Sequence, residues 1–94
     1  MMSIVYNPMF SKITGNINSG LLLSYCTYLS HLHGGDEFLA TDKEMCDDLC
    51  MGLYELKHAK KVLSDINIVS IVRKGIPAKT YYKLNIEILT RLYR

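Results

Sequence analysis

The chain has 94 residues, 49% of them hydrophobic, and a formal net charge of +2, which together allow one domain with a small core and exclude a disordered tail. No stretch approaches the roughly 20 uninterrupted apolar residues of a membrane span, and the amino terminus MMSIVYNP lacks the basic-then-apolar pattern of a signal peptide. Its three cysteines have no spacing typical of a disulfide framework, which fits a reducing compartment. The sequence therefore predicts a single domain at 1–94, located in the cytosol and not bound to a membrane.

Two helices are predicted in the first third of the chain. Asn7-Pro8 is a typical helix start, and Gly15 can adopt the left-handed conformation that ends one. A longer helix begins at Asn16 or Asn18 and ends at His33-Gly34-Gly35. Its predicted core-facing stripe, by helical spacing, is Ile17, Leu21, Tyr25, Tyr28, Leu29 and Leu32. Further apolar residues, which predict packing on a second side, are Leu22, Leu23 and Cys26.

A short extended segment and a third helix are predicted next. Phe38-Leu39-Ala40 has the composition of a short strand. Thr41 and Glu44 have the spacing of a capping box, in which each side chain accepts a hydrogen bond from the other residue's backbone N–H. The helix is therefore predicted from Asp42 to about Cys50. Its predicted buried side is Met45, Cys46 and Leu49, with Asp47 and Asp48 in solvent.

A tight turn at Met51-Gly52 leads into a fourth predicted helix. Gly52 can serve as its N-cap. The helix spans 53–66 and ends at Asn67, a residue type that tolerates the left-handed conformation. The residues predicted to face the core are Leu56, Ala59, Leu63 and Ile66.

The last third predicts a β-hairpin and a short final helix. β-Branched residues favour a strand near 68–73. A turn at 74–78, whose proline is excluded from a central strand, leads to a return strand predicted near 80–85. The segment 86–94 is predicted to be helical. The predicted fold class is therefore α+β, a winged helix-turn-helix in which helices 41–50 and 53–66 form the helix-turn-helix and the hairpin forms the wing.

Charge is distributed unevenly along the chain. From Leu53 onward there are nine basic and three acidic residues, a balance of +6. Before Leu53 there are two basic and six acidic residues, a balance of −4. A small net charge therefore hides a strong asymmetry, which points to a polyanionic partner such as duplex DNA.

The basic residues suggest specific contacts to DNA. On the predicted helix 53–66, Tyr54, Lys57, His58 and Lys61 share the side opposite the core, and in a helix-turn-helix the early residues of this helix meet base edges. A solvated face explains this stripe alone equally well, but the basic hairpin favours DNA binding. The predicted base-edge residues are Tyr54, Lys57 and His58. The predicted phosphate-binding residues are Lys60, Lys61, Arg73, Lys74 and Lys79.

Catalytic and metal-dependent functions find less support in the sequence. Cys46 and Cys50, with His31 and His33 nearby, suggest a zinc site, but the cysteine spacing is not that of a CxxC pair. Gly34-Gly35 lacks the lysine, hydroxyl residue and preceding strand of a phosphate-binding loop. We therefore expect no enzyme activity, no metal and no other cofactor.

The segments TDKEMCDDL, ELKHAKKVL and RKGIPAKTYYKLN resemble small winged-helix proteins of phages and mobile elements. Over about residues 5–89 the chain is similar to the N-terminal DNA-binding domains of phage replisome organisers and replication initiators. This resemblance implies a recognition helix carrying Tyr54, Lys57, His58 and Lys61, and a wing carrying Arg73, Lys74 and Lys79. Two residues depart from the pattern: Gly52 replaces a hydroxyl cap, and Asn67 replaces a glycine.

Two classes of function follow from these observations. The first is a small viral or mobile-element regulator of transcription or replication, since the chain stops where initiator proteins continue into a second domain. The second is a protein-interaction module, an inhibitor or adaptor that binds a host or replication protein. The first long helix and the final helix could supply the surface for such a partner or for a homodimer.

Overall fold

The computed structural model describes residues 7–93 as five helices and a three-stranded antiparallel sheet, an α+β fold. The predicted order of elements is confirmed, and the long elements agree with their predicted bounds to within a residue. Two parts of the predictions lie outside the described residues. They are Arg94, which the last helix was predicted to include, and residues 5 and 6, where the resemblance begins. The elements in chain order are α1 (Pro8–Thr14), α2 (Ile17–Leu32), β1 (Phe38–Leu39), α3 (Asp42–Leu49), α4 (Leu53–Asp65), β2 (Val69–Lys74), β3 (Lys79–Leu84) and α5 (Ile86–Tyr93).

Side-chain caps set the ends of the first two helices. The side chain of Asn7 accepts a hydrogen bond from a backbone N–H of the first turn of α1 at 3.0 Å, and Gly15, with φ of 74°, ends that helix. Asn16, not Asn18, caps α2, because its side-chain oxygen accepts a hydrogen bond from the Ser19 N–H at 3.1 Å. These short-range interactions satisfy backbone groups that a helix terminus leaves without partners.

The capping box and turn between α3 and α4 form as predicted. The Glu44 N–H donates to the Thr41 hydroxyl at 3.1 Å, and the Thr41 N–H donates to the Glu44 carboxylate at 3.2 Å. Cys50 ends α3 in the left-handed conformation, and Gly52 precedes α4 without a side-chain cap. Asn67 adopts a φ of 62° after α4, the conformation predicted for it. Local chemistry therefore fixes the length of both helices and the turn between them.

The hydrophobic core lies between α2, α4 and the sheet. Leu56, Ala59 and Leu63 of α4 are fully buried, as their spacing predicts. The rings of Phe38 and Tyr82 stack in the centre of the sheet, with centroids 5.7 Å apart. This packing fixes which side of α4 remains in solvent.

The buried side of α2 differs from its predicted stripe. Ile17 and Leu32, at the two ends of the helix, are mostly exposed, whereas Leu22, Leu23 and Cys26 are almost completely buried. The stripe is therefore wrong at both ends. The physical reason is that α2 contacts α1 on one side and α3, α4 and β3 on the other, so its buried surface is centred on its middle turns. The prediction that this helix packs on two sides is confirmed.

The three strands form a sheet in the order β1-β3-β2. β2 pairs with β3 along its whole length, from Val69 to Lys74. β1 has two residues and pairs with Tyr81 and Tyr82 of β3. The end of the hairpin beyond these residues is therefore a two-stranded arm, and the Ile76–Pro77 peptide bond in its turn is cis.

The sheet has an inner and an outer face, because side chains alternate along a strand. Leu39, Tyr81 and Val72 lie in register across the outer face, and we call these three residues the outer row. Leu39 and Val72 are 42% and 48% exposed, and Tyr81 between them is half-buried. The residues of the inner face, which pack in or against the core, are Phe38, Val69, Ile71, Tyr82 and Leu84.

Gly20 allows α1 to approach α2 closely. A Cβ atom at this position would lie 2.8 Å from the backbone nitrogen of Ser11 and 2.9 Å from its Cα atom. We expect Gly20→Ala to lower the free energy of unfolding by about 1–3 kcal/mol, since the backbone of α1 must shift. Helix propensity alone would change stability by about 1 kcal/mol in the opposite direction.

Urea unfolding measures this difference, and His31→Ala, at an exposed position of the same helix, is the matched control. That control should change the free energy of unfolding by no more than about 0.5 kcal/mol. A Gly20→Ala variant as stable as the original protein would contradict the close approach of α1 and α2.

Candidate nucleic-acid interface

The predicted base-edge residues lie together on the exposed side of α4. Tyr54 is 83% exposed, and Lys57, His58 and Lys61 are also exposed. Lys61 forms an ion pair at 3.1 Å with Asp65, one turn further along the helix. Exposed pairs of this kind contribute little to stability, so Lys61 remains available to a stronger anion.

Lys60 has a different environment from the other lysines of α4. Its side chain is 17% exposed, its ammonium donates to the Asp42 carboxylate at 2.6 Å, and it lies 5.4 Å from the centre of the Tyr82 ring. Burial opposes the charge on Lys60, but the hydrogen bond to Asp42, together with the influence of Tyr82, outweighs burial and raises the pKa of the ammonium. Lys60 therefore joins α4 to the start of α3 and to the sheet. Because its charge is paired and half-buried, Lys60 is less accessible to a phosphate than the exposed lysines of α4.

The hairpin carries two lysines directly opposite each other. Lys74 pairs with Lys79 in the strand register, and like charges at such positions destabilise a sheet. Lys74 turns away from Lys79 across the outer face of the sheet, where its ammonium lies 4.7 Å from the centre of the Tyr81 ring and donates to the Glu37 carboxylate at 2.7 Å. The predicted phosphate contact of Lys74 therefore competes with an intramolecular carboxylate.

Arg73 and Lys79 border a cleft at the base of the arm. Its volume is about 370 Å³, and it lies between the start of α3, with Thr41 and Asp42, and the end of the hairpin. Neither Arg73 nor Lys79 forms an ion pair within residues 7–93. Their charges are therefore not balanced by an acid of the part of the chain that the structure describes.

Asp42 connects the cleft to α4, because it lines the cleft beside Arg73 and Lys79 and also holds Lys60. Lys57 lies three residues before Lys60, hence on the same flank of the helix. The exposed cations of the two elements, which we call the basic band, are Lys57, Lys61, Arg73 and Lys79.

Two acidic residues near the basic band were not anticipated from the sequence. Glu37 and Asp42 belong to the acidic half of the chain, yet they bind Lys74 and Lys60 of the basic half. The partners are 37 and 18 residues apart, so no helical or strand spacing could have revealed either pair. The acidic residues before Leu53 and the basic residues after it are therefore closer together in space than their positions in the sequence suggest.

The cysteines do not assemble a reactive centre within the described residues. All three are unpaired: Cys26 is buried, Cys46 is half-buried and Cys50 is exposed. Burial raises the pKa of the Cys26 thiol to about 12, so this group is protonated at neutral pH. Between residues 7 and 93, no three histidine, cysteine or acidic side chains gather as metal ligands.

No described helix has both the length and the apolar character needed to cross a bilayer.

The different environments of Lys60 and Lys57 can be tested by stability measurements. We expect Lys60→Ala to lower the free energy of unfolding by about 1–2 kcal/mol, because it removes a buried aliphatic stem and a partly screened ion pair. Lys57→Ala, on the same helix but exposed, should change it by less than about 0.5 kcal/mol. Urea unfolding of both variants checks this, and equal values would contradict the structural role of Lys60.

No protein-family model, curated protein or solved structure matches this chain. What the protein does must therefore follow from its own residues. The observations that bear most directly on its function are the exposed stripe of α4, the basic arm and the cleft between the arm and α3.

Proposed function

We propose that the protein is a winged helix that binds duplex DNA, with α3 and α4 as its helix-turn-helix and the hairpin of β2 and β3 as its wing. In this role it acts in the cytosol of a host cell as a small viral or mobile-element regulator of transcription or replication. The observation that carries the proposal is the link through Asp42, which lines the cleft beside Arg73 and Lys79 and also pairs with Lys60 of α4. Arg73 and Lys79 add support, since neither forms an ion pair within residues 7–93.

The proposal assigns different tasks to the two elements. The start of α4 enters the major groove, where Tyr54, Lys57 and His58 meet base edges. The cations further along α4 and on the hairpin meet phosphates, which fix the position of the protein on the duplex but carry no sequence information. The phosphate-binding residues in this arrangement are Lys61, Arg73 and Lys79, joined by Lys74 when it leaves Glu37.

The salt dependence of binding tests the phosphate contacts. Each phosphate neutralised contributes about −0.9 to the slope of log affinity against log salt concentration, so three or four contacts give a slope of about −2.7 to −3.6. Arg73→Ala or Lys79→Ala should weaken binding to all sequences alike and reduce the slope by about one. Fluorescence anisotropy with a labelled duplex over a series of salt concentrations measures both effects.

Lys43→Ala is the matched control, because it removes the same charge from an exposed position on the acidic helix α3. It should leave the slope unchanged. A slope that falls equally for Lys43→Ala and Lys79→Ala would show a general effect of net charge. Absence of any duplex affinity at low salt would exclude the DNA-binding function.

Base-edge contacts call for a separate measurement. Tyr54→Ala and His58→Ala should reduce the ratio of affinities for preferred and random sequences, because only contacts to base edges distinguish sequences directly. Selection of bound duplexes from a random pool, repeated with each variant, measures this ratio. Unchanged selectivity in both variants would remove the start of α4 from the recognition surface.

Of the two helices that the sequence suggests for a homodimer surface, α2 is the weaker candidate. Ile17 and Leu32 are exposed at opposite ends of α2, roughly 22 Å apart at about 1.5 Å per residue, so they form no common patch. On α5, Ile86 and Leu92 remain exposed, and this helix is the better candidate for pairing two copies. Pairing would double the number of phosphate contacts, and sedimentation equilibrium of the free and DNA-bound protein would reveal it.

The outer row favours a second candidate function. Leu39 and Val72 expose apolar surface on the sheet, which a module that binds a host or replication protein could use for contact. Val72→Ser should abolish binding to such a partner while leaving duplex affinity unchanged. A specific partner lost on this substitution, with no affinity of the original protein for DNA, would favour the interaction module.

A further inference from the structure

The tip of the hairpin presents an isoleucine fully to solvent. Ile76 has a relative exposure of 103%, the highest of the large apolar side chains in the described chain. Its neighbours Gly75, Pro77 and Ala78 are also exposed. An isoleucine in this position buries no surface within the described fold, and asparagine, aspartate or glycine are more usual at the tip of a turn. Its role is therefore not explained by the stability of the domain.

The arm is long enough to carry this side chain into a groove of DNA. Beyond the outer row, the hairpin continues for two residue pairs, Arg73 with Thr80 and Lys74 with Lys79. At about 3.4 Å per residue these pairs extend the turn by roughly 7 Å, close to the depth of the minor groove, which is about 7.5 Å. The turn, with Ile76 at its tip, lies beyond that distance.

The charges at the base of the tip suit a duplex better than an apolar protein surface. Arg73, Lys74 and Lys79 lie next to the exposed apolar turn; residues 73–86 contain no acid, and Glu37 is the acid paired with Lys74. An apolar group between cations is the arrangement that minor-groove proteins use to separate base pairs while phosphates on either side are neutralised. An undistorted minor groove is about 6 Å wide, too narrow for a two-stranded ribbon, so entry requires the groove to open.

We propose that Ile76, supported by Pro77, is an apolar wedge that enters the minor groove, partly unstacks one base step and kinks the duplex. This inference rests on the proposed DNA-binding function. It assigns to the hairpin tip a contact that does not depend on charge. It also gives the protein a second source of sequence preference, since pyrimidine–purine steps such as TA unstack more easily than other steps.

The test uses the full chain and duplexes of about 30 base pairs with a central TA or GC step. A donor and an acceptor at the two ends report bending by energy transfer, and 2-aminopurine beside the central step reports unstacking by increased fluorescence. The original protein should bend the TA duplex, increase its 2-aminopurine fluorescence and bind it about 3–10 times more tightly than the GC duplex.

Ile76→Ser should lose the bend, the fluorescence increase and the preference for TA, while its salt slope stays unchanged because every cation remains. Ile17→Ser, at an exposed position of α2, is the matched control and should retain all three properties. Both variants should show the urea midpoint of the original protein, since neither removes a buried side chain.

Bending by Ile76→Ser equal to that of the original protein, or binding by the original protein without any bend, would overturn the wedge while leaving DNA binding intact. Failure of the DNA-binding function itself has a different signature, namely no affinity of the original protein for either duplex at low salt. That result would remove the wedge as well.

Discussion

The candidate interface depends on the ion pair between Lys60 and Asp42 and on the contact of the Lys60 ammonium with the Tyr82 ring. Lys60 comes from the middle of α4, Asp42 from the first turn of α3 and Tyr82 from the central strand of the sheet. The buried face of α4 sets the rotation of that helix in the core, and Lys60 then fixes its flank against the other two elements. The exposed stripe of α4 and the arm of the hairpin therefore keep a defined relation to each other.

In the proposed complex with DNA, the intramolecular acids would favour a polyanion over small anions. Lys74 already has a carboxylate partner in Glu37, and Lys61 has one in Asp65, at 2.7 and 3.1 Å. Both pairs are exposed to water and therefore weak, so a phosphate in a duplex, where many charges act together, can replace the carboxylate. An isolated anion has no such advantage. The internal pairs thus reduce the attraction of small anions without preventing contact with a polymer.

Short-range chemistry in the sequence was enough to predict most of the fold. The capping box of Thr41 and Glu44 and the left-handed Asn67 act within a few residues, and each formed where the spacing indicated. The stripe of α2 failed at both ends, because the elements that cover this helix are set by tertiary packing, which its own periodicity does not describe. The same limit applies to the candidate site: the exposure of Tyr54 followed from helical spacing, whereas the burial of Lys60 depended on a residue 18 positions away.

The position of β2 at the edge of the sheet has a consequence for self-association. An open edge strand is a template on which another chain can add a strand, and charged residues along such an edge oppose this by electrostatic repulsion. Arg73 and Lys74 occupy one end of this edge, so a strand added there must lie against two cationic side chains. Neutralisation of these charges by a polyanion removes that protection. The cations of the hairpin therefore oppose addition of a strand to β2 in the free protein, and the proposed binding of DNA would neutralise them.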